Sequence, residues 1–270
     1  MVVLRRLACT TCLIAITGLA SPAASSVFDS FEVATIKPTP PDWTGGRFFR
    51  MQTANQFVAR GYTVRALISS AYNLNPKAVS GGPAWIDAER YDILARTPGE
   101  VRPNLDQQMA MLRKLLADRF NLSFHREKKE MPIYALTVTK NGPKLRESAK
   151  SPASTGANPE GPPPLVFVLA PDVVRVPARD ATTTELTYIL QRAAFDRPVV
   201  DRTGLTARYD FDLEFSPDES LFGGALHGGG DGTRPGLFAA IQEQLGLKLE
   251  ATRGLVDSIV IEKIDRPSEN

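Results

Sequence analysis

Two short stretches of this chain share a pattern although they lie 119 residues apart. Residues 59–67 read ARGYTVRAL and residues 178–186 read ARDATTTEL, so that Ala, Arg, Thr and Leu recur at the same places. Apolar residues follow the threonine at helical spacing in both, which predicts a helix whose first turn is capped by the hydroxyl of Thr63 or Thr182. The pattern raises the hypothesis that one structural unit is written twice.

Further matches extend along both halves of the chain. YDILA (91–95) and YDFDL (209–213) are 118 residues apart, and both alternate polar and apolar residues as half-buried strands do. A second helical stripe at 112–120 recurs at 237–245, with an offset of 125. Seven additional residues in the glycine-rich stretch 216–236 account for the change of offset. The matches predict two tandem units.

Each predicted unit has the order β-β-α-β-α-β-β. The first two strands are expected to form a hairpin, at 48–59 and at 165–176, and a strand at 31–36 (FEVATI) precedes the first unit. Mixed or antiparallel sheets with helices packed on one face predict an α+β fold. The last two strands of each unit are expected to be separated by a turn, and they are assigned to NLSF (121–124), IYALTV (133–138), GLKL (246–249) and SIVIEK (258–263).

Composition divides the chain into four parts. Residues 148–164 are dominated by Pro, Ser, Gly and Ala, which cannot fill a core and are typical of a linker or long exposed loop. The expected organisation is a signal peptide at 1–25, a first α+β repeat at 28–147, the linker at 148–164 and a second α+β repeat at 165–270.

The N-terminal segment predicts export. Arg5 and Arg6 precede an apolar run from Leu7 to Ala20, followed by small residues suited to signal peptidase. The run is too short for a lasting membrane span, although retention as an anchor is the alternative. Cleavage would remove both cysteines and leave 30 basic against 30 acidic residues, which argues against nucleic acid as a partner. We expect a periplasmic or extracellular protein without a membrane span after cleavage.

Several long segments resemble a known family. GGPAWIDAERYDILA (81–95), RPVVDRTGLTARYDFDLEF (197–215) and LFAAIQEQLGLKLE (237–250) look like the soil-associated protein family, a domain of unknown function. The resemblance implies an exported bacterial protein without an assigned activity. Similar domains are joined to membrane metallopeptidase sensors of the antirepressor type, which implies extracytoplasmic sensing, but this chain has no such peptidase segment.

A few polar and aromatic residues are candidates for a binding site. On the strand at 209–215, Asp210, Asp212 and Glu214 share one face, where they are expected to meet solvent, a basic partner or a hard cation such as calcium. Asp201 lies in a predicted turn before Gly204, where local hydrogen bonding is the alternative to a functional role. Trp85 follows a Gly-Gly-Pro turn and is expected either to anchor an interface or to cover its own core edge.

No recognisable catalytic motif is present, and no metal site or cofactor is expected. The chain has two histidines and lacks HExxH, GxSxG and the phosphate-binding GxxxxGK[ST] pattern. The HGGGDG stretch at 227–232 resembles an esterase oxyanion loop but lacks a nucleophile elbow. The sequence favours a non-catalytic binding module whose partner is an envelope protein, peptide or glycan. The alternative is a hydrolase that uses Asp201, Asp210 or Asp212.

Overall fold

The computed structural model describes residues 28–149, 165–170, 172–193, 196–217 and 234–267. The predicted signal peptide, most of the predicted linker and the HGGGDG stretch lie outside these residues. Within the described ranges the fold is a mixture of twelve strands and five α-helices. In chain order the elements are β1 (Val33–Pro38), β2 (Phe48–Met51), β3 (Gln56–Thr63), α1 (Val64–Ala71), a 3-10 turn (Pro76–Ala78), β4 (Val79–Gly81), α2 (Trp85–Ala88), β5 (Arg90–Arg96), α3 (Leu105–Arg119), β6 (Ser123–Val138), β7 (Arg146–Glu147), β8 (Val168–Ala170), β9 (Val173–Ala181), α4 (Thr183–Ala193), β10 (Val199–Asp201), β11 (Tyr209–Phe215), α5 (Leu237–Leu245) and β12 (Leu247–Lys263).

The strands form three four-stranded sheets. The first sheet has the order β1-β5-β3-β2 and the second sheet has the order β7-β11-β9-β8, and both are antiparallel. The third, which we call the shared sheet, has the order β10-β6-β12-β4 and draws strands from both halves of the chain. Its two edge strands run parallel to their neighbours, so this sheet is mixed.

The first and second sheets have the same pairing register. Ala59 pairs with Ile93 and Tyr62 with Tyr91, with a bulge between the two pairs. In the second sheet Ala178 pairs with Phe211 and Ala181 with Tyr209, again with a bulge between them. We call two residues that occupy the same place in the two registers matching positions. They are 119 residues apart between β3 and β9 and 118 residues apart between β5 and β11, which are the offsets found in the sequence.

The strand β1 also has a match in the second sheet. The backbone N–H of Thr39, just after β1, donates to the Arg90 carbonyl at 2.8 Å, and Ser148, just after β7, donates to Arg208 at 2.9 Å. The strands β1 and β7 therefore match, because they lie along the matching strands β5 and β11. Ser148, which composition assigns to the linker, is hydrogen-bonded at the end of a strand.

The predicted turns within β6 and β12 are wrong. Each segment is one continuous strand, and the two pair antiparallel along their whole length, from Ser123 opposite Lys263 to Val138 opposite Leu247. The segment between the two predicted strands of the first half, HREKKEMP (125–132), contains Pro132, a residue typical of turns, yet Pro132 lies within β6 and faces Arg253 of β12. Residues 125–130 are all exposed, and in this part of the shared sheet β6 is not paired with β10, which reaches only residues 134–136.

Each long strand contributes to both hydrophobic cores. One core joins the first sheet, α1, α2 and α3 with Ile259 and Ile261 near the end of β12, while Phe124 near the start of β6 packs against it. The other core joins the second sheet, α4 and α5 with Leu136 of β6 and Leu249 of β12. A small apolar cluster lies between them, formed by Ala78, Met131, Ile133, Ala135 and Val256.

The predicted helix caps are confirmed. The Thr63 hydroxyl accepts a hydrogen bond from the Ala66 N–H at 3.3 Å and begins α1. The Thr182 hydroxyl accepts from Glu185 N–H at 3.1 Å, and the Glu185 carboxylate accepts from Thr182 N–H at 2.7 Å, which forms a capping box at the start of α4. Among the described residues, no helix is long and apolar enough to cross a membrane.

An engineered disulfide tests the continuous strands. Lys128 lies opposite Asp257, so the pair Lys128→Cys and Asp257→Cys, with Cys9 and Cys12 replaced by serine, is expected to form an intramolecular disulfide, because facing residues have Cα atoms about 4.5–5.5 Å apart. The bridge is detected by peptide mapping under non-reducing conditions.

The matched control is Lys128→Cys with Glu250→Cys, which lies about 23 Å farther along β12 by strand rise and should not bridge. Failure of the first pair to form a bridge, or equal bridging in the control, would contradict the continuous pairing of β6 and β12.

Candidate functional site

Asp210 holds the bulge of the second sheet together. Asp180, at the bulge, has a left-handed backbone (φ 54°), and its N–H donates to the Asp210 carboxylate at 2.9 Å. The Ser148 hydroxyl donates to the same oxygen at 2.7 Å and the Arg146 guanidinium donates to the other at 3.0 Å. The carboxylate therefore ties the bulge to the edge strand β7, which is an architectural role.

The matching residue in the first sheet does the same. The Asp92 carboxylate accepts from the Gly61 N–H at 2.9 Å, from the Thr39 hydroxyl at 2.7 Å and from Arg60 at 3.2 Å. Gly61 also has a left-handed backbone (φ 68°), in the place of Asp180. The recurrence of the contacts, with different donors in part, indicates that an aspartate here is needed to close the bulge.

The environment of Asp210 lowers the pKa of its carboxyl group. The largest cause is the hydrogen bond from the Asp180 backbone N–H, followed by the one from the Ser148 hydroxyl, while Arg146 contributes further. Each donor stabilises the charged form. A carboxyl group held ionised in this way is poorly suited to act as a general acid near neutral pH.

The other two acidic residues of β11 form ion pairs across the sheet. Asp212 accepts two hydrogen bonds from Arg179, at 3.1 and 3.2 Å, and Glu214 accepts one from Arg175 at 2.7 Å. All three predicted carboxylates do share one face, and each is directed to an arginine. Among the described residues, no group of three or more His, Cys, Asp or Glu side chains could hold a metal ion.

Asp201 and Trp85 are likewise engaged within the fold. Asp201 ends β10 and accepts from the Thr203 N–H at 3.0 Å and from the Thr203 hydroxyl at 2.8 Å, which is the local turn bonding that the sequence offered as an alternative. Trp85 begins α2, is half-buried, and lies beneath the Arg266 guanidinium, which is 5.0 Å from the ring centroid. The structure does not bring Trp85 together with the acidic residues of β11.

Trp85 belongs to a cluster that fixes the C-terminal segment. Arg266 forms two-point hydrogen bonds to Glu89, the closest at 2.6 Å, and the Tyr91 hydroxyl donates to the same carboxylate at 2.8 Å. Burial, followed by the contact with Glu89, raises the pKa of Tyr91 to about 12. The hydrogen bonds from Arg266 and then Tyr91 lower the pKa of Glu89, so the pair stays charged.

The outward face of the first sheet differs from that of the second. Leu94 occupies the position that matches Asp212, and Arg96 occupies the position of Glu214. Leu94 is 47% exposed and Val33, on the same face of the neighbouring strand β1, is 64% exposed. Half-buried Val58 and Phe48 extend this face, which we call the apolar patch and define by Val33, Phe48, Val58 and Leu94.

Arginine and tryptophan side chains border the apolar patch. The Arg50 guanidinium lies 5.2 Å from the Phe48 ring centroid, and the Arg60 guanidinium lies 4.6 Å from the Trp43 ring centroid.

Sequence reasoning missed the patch because YDILA was interpreted only as a half-buried strand. The signal was present in the matching stretch: YDFDL has an aspartate where YDILA has a leucine.

Residues 65–264 match the family described as Protein of unknown function (DUF3738). Because this match covers more than half of the 270 residues, the chain belongs to that family. No curated protein and no solved structure matches the chain.

Replacing Asp210 with asparagine tests its role in the bulge. We expect the free energy of unfolding at pH 7 to fall by about 1–2 kcal/mol, because charge-assisted hydrogen bonds are lost. The folded-state pKa is lowered, so this stabilisation is present above the unfolded pKa of about 4 and is lost as the pH falls through the folded pKa. Denaturant unfolding at pH 7 and pH 3 measures the difference.

Asp212→Asn is the matched control, since its carboxylate is 64% exposed and its ion pair should contribute roughly 0–1 kcal/mol. An equal loss of stability in both variants, or a loss in Asp210→Asn that does not shrink at pH 3, would contradict the architectural role.

Proposed function

We propose that this chain is an exported protein that acts by binding a protein or peptide partner through the outward face of its first sheet. The observation that carries the proposal is the apolar patch, in which exposed Leu94 faces Val58 of β3, and exposed Val33 lies on the same sheet face at a diagonal position of β1. Exposed apolar groups that are contiguous and bordered by polar residues are typical of interaction surfaces.

The composition of the border supports a protein partner. Arginine and aromatic side chains are enriched at protein interfaces, where they supply most of the binding energy. Arg50, Arg60 and Trp43 border the patch; the Arg50 guanidinium lies over Phe48 of the patch, and the Arg60 guanidinium lies over Trp43. Stacking holds the guanidinium groups in place before binding, which reduces the entropy lost on association.

The second sheet supplies an internal comparison. Its matching face carries the ion pairs of Arg179 with Asp212 and Arg175 with Glu214. Covering such pairs with a partner would remove charged groups from water, which is costly unless the partner replaces every contact. The same backbone arrangement is therefore adapted for solvent in one half and for a partner in the other.

The alternative function, a hydrolase that uses Asp201, Asp210 or Asp212, receives less support. A carboxylate that acts as a general base needs an open path to the substrate, and one that acts as a general acid needs a raised pKa. Asp210 has a lowered pKa, Asp212 accepts hydrogen bonds from two guanidinium nitrogens of Arg179, and Asp201 is hydrogen-bonded to its own turn. A binding role leaves these three carboxylates in the hydrogen bonds that they form in the structure.

The two halves of the chain are, in our proposal, copies of one unit. The support comes from the equal strand orders and registers of the first and second sheets, including the bulges and their aspartates. The resemblance to soil-associated and antirepressor-type proteins implies an extracytoplasmic sensing role. Such a role is compatible with two copies that share strand order and register and differ in the side chains of one outward sheet face.

Expression of the whole chain in a bacterial host tests export. We expect the protein in the periplasm or the medium, with a mass that corresponds to cleavage near residue 25, because the apolar run at 7–20 is bounded by small residues. Fractionation with intact-mass measurement gives the result. Full-length chain in the membrane fraction would support the anchor alternative, and full-length chain in the cytoplasm would exclude export.

Leu94→Asp tests the binding face. Affinity capture from an envelope extract, quantified by mass spectrometry, is expected to recover a specific partner with the unmodified protein and at least tenfold less with the variant, since a charge replaces an apolar contact. The variant should fold, because aspartate is the natural residue at the matching position, 212.

Val168→Asp is the matched control for this experiment. Val168 is exposed to a similar extent, 46%, but lies opposite Arg175 in the second sheet. Recovery of the partner should be unchanged in this variant. Recovery of no specific protein by any form, or equal loss in both variants, would count against the proposed binding face.

A further inference from the structure

The outward face of the first sheet carries more cations than anions. Its strands place one acidic residue on this face, Asp92, and five basic residues, which are Lys37, Arg50, Arg60, Arg90 and Arg96. Asp92 forms an ion pair with Arg60 at 3.2 Å, and Glu32, just before β1, lies 3.6 Å from Arg96. Among the described residues, the remaining three basic residues form no ion pair with a carboxylate. The face therefore has an excess of three positive charges.

One of these arginines, Arg60, has lost the partner that its matching residue has in the second sheet. Arg179 donates from both terminal nitrogens to Asp212, at 3.1 and 3.2 Å. Leu94 occupies the position of Asp212 in the first sheet, and Arg60 donates only its Nε–H, to Asp92 at 3.2 Å. Within the part of the chain that the structure describes, the terminal N–H groups of Arg60 have no hydrogen-bond acceptor. The first half therefore keeps the arginine of this pair and lacks the carboxylate that faces it in the second half.

A second guanidinium with free N–H groups lies at the same end of the apolar patch. Arg50 is exposed, and its guanidinium lies 5.2 Å from the Phe48 ring centroid. No described residue accepts a hydrogen bond from this guanidinium. Phe48 also faces Arg60 where β2 pairs with β3, so this patch residue is adjacent to both arginines. Both arginines therefore border the apolar patch directly.

A partner that covers the apolar patch must also exclude water from these two guanidinium groups. In the free protein water satisfies their N–H donors, because Arg50 and Arg60 are exposed. A donor that loses water without gaining an acceptor weakens the complex, and the loss is larger when the donor is charged. The patch is therefore covered favourably only by a partner that brings hydrogen-bond acceptors, and a carboxylate is the acceptor in proteins that suits a guanidinium best.

We propose that the partner of the apolar patch is an acidic peptide segment, free or within a protein, in which apolar residues lie next to Asp or Glu. Its apolar side chains contact Leu94 and Val58. Its carboxylates accept hydrogen bonds from Arg50 and Arg60, since the planar guanidinium donates two parallel N–H groups to a carboxylate. A basic segment is repelled by the excess positive charge of the same face.

This inference rests on the proposed binding face and names the chemistry of its partner. An anionic lipid surface also offers negative charge, but the carboxylates of Asp92 and Glu32 lie on or beside the same face, where lipid phosphates would repel them. A peptide segment places its own carboxylates beside Arg50 and Arg60 and leaves those of the protein facing water. The observations therefore favour a peptide segment over a membrane.

Selection of peptides from a phage library of random dodecapeptides tests the chemistry of the partner. Peptides that bind the protein and also bind Leu94→Asn are discarded, so the peptides retained depend on the apolar patch. We expect the retained peptides to combine Asp or Glu with apolar residues, because their charge must complement that of the face. Retained peptides that are neutral or basic would overturn this inference and leave the proposed binding face standing. Failure to retain any peptide would overturn the inference together with the proposed face.

A retained acidic peptide with a fluorescent label then measures the contribution of Arg50 by fluorescence anisotropy. Arg50→Gln is expected to weaken binding by about tenfold or more, because charge-assisted hydrogen bonds are lost. The same loss is expected when Asn and Gln replace the Asp and Glu residues of the peptide. Unchanged affinity in either case would overturn the proposal.

Arg126→Gln is the matched control for Arg50→Gln. Arg126 is also exposed and lies over an aromatic ring, 5.4 Å from the Tyr72 centroid, but it belongs to the shared sheet, so its replacement should leave the affinity unchanged. Circular dichroism verifies that each variant is folded. Sedimentation with phosphatidylglycerol vesicles tests the membrane alternative, and we expect no binding. Vesicle binding that is lost in Leu94→Asn, or an equal loss of peptide affinity in Arg126→Gln, would overturn the proposal.

Discussion

The antiparallel pairing of β6 with β12 is the constraint on which the rest of the structure depends. The two strands, of 16 and 17 residues, are far longer than the five or six residues of a typical strand. Each begins beside one core and ends beside the other, so each half completes its core with a strand end from the opposite half. The two halves are therefore bound by main-chain hydrogen bonds and by shared apolar burial at once.

The two antiparallel sheets are more alike in their backbone arrangement than in the side chains of their outward faces. Both antiparallel sheets place an aspartate, Asp92 or Asp210, against a left-handed residue at the bulge, and both attach an edge strand through a hydroxyl to that carboxylate. These contacts satisfy backbone donors that the bulge would otherwise leave unpaired. The side chains that point away from the cores are under no such requirement, which is why Leu94 and Asp212 differ so sharply in character at matching positions.

The sequence predicted the local elements well where their causes are local. The hairpin strands, the caps at Thr63 and Thr182 and the alternation along β11 all follow from contacts within a few residues, and all are present. The candidate carboxylates were correctly placed on one face, but their partners were not predicted. Arg179 and Arg175 lie on a different strand, β9, and only the register brings them opposite β11.

The sequence by itself predicted the two hairpins, the capped helices α1 and α4, the helical stripes of α3 and α5 and the matching positions, because periodicity and capping depend on neighbouring residues. It did not predict β4, α2, β7 or β10. Tertiary structure decided that β6 and β12 continue straight and pair with each other, since a charged stretch such as EKKE is equally compatible with a turn and with a strand exposed on both faces. It also decided which cations are neutralised. Arg208 lies beside Asp180 and Glu185, whereas the first half has Gly61 and Ala66 at the matching positions, which carry no carboxylate.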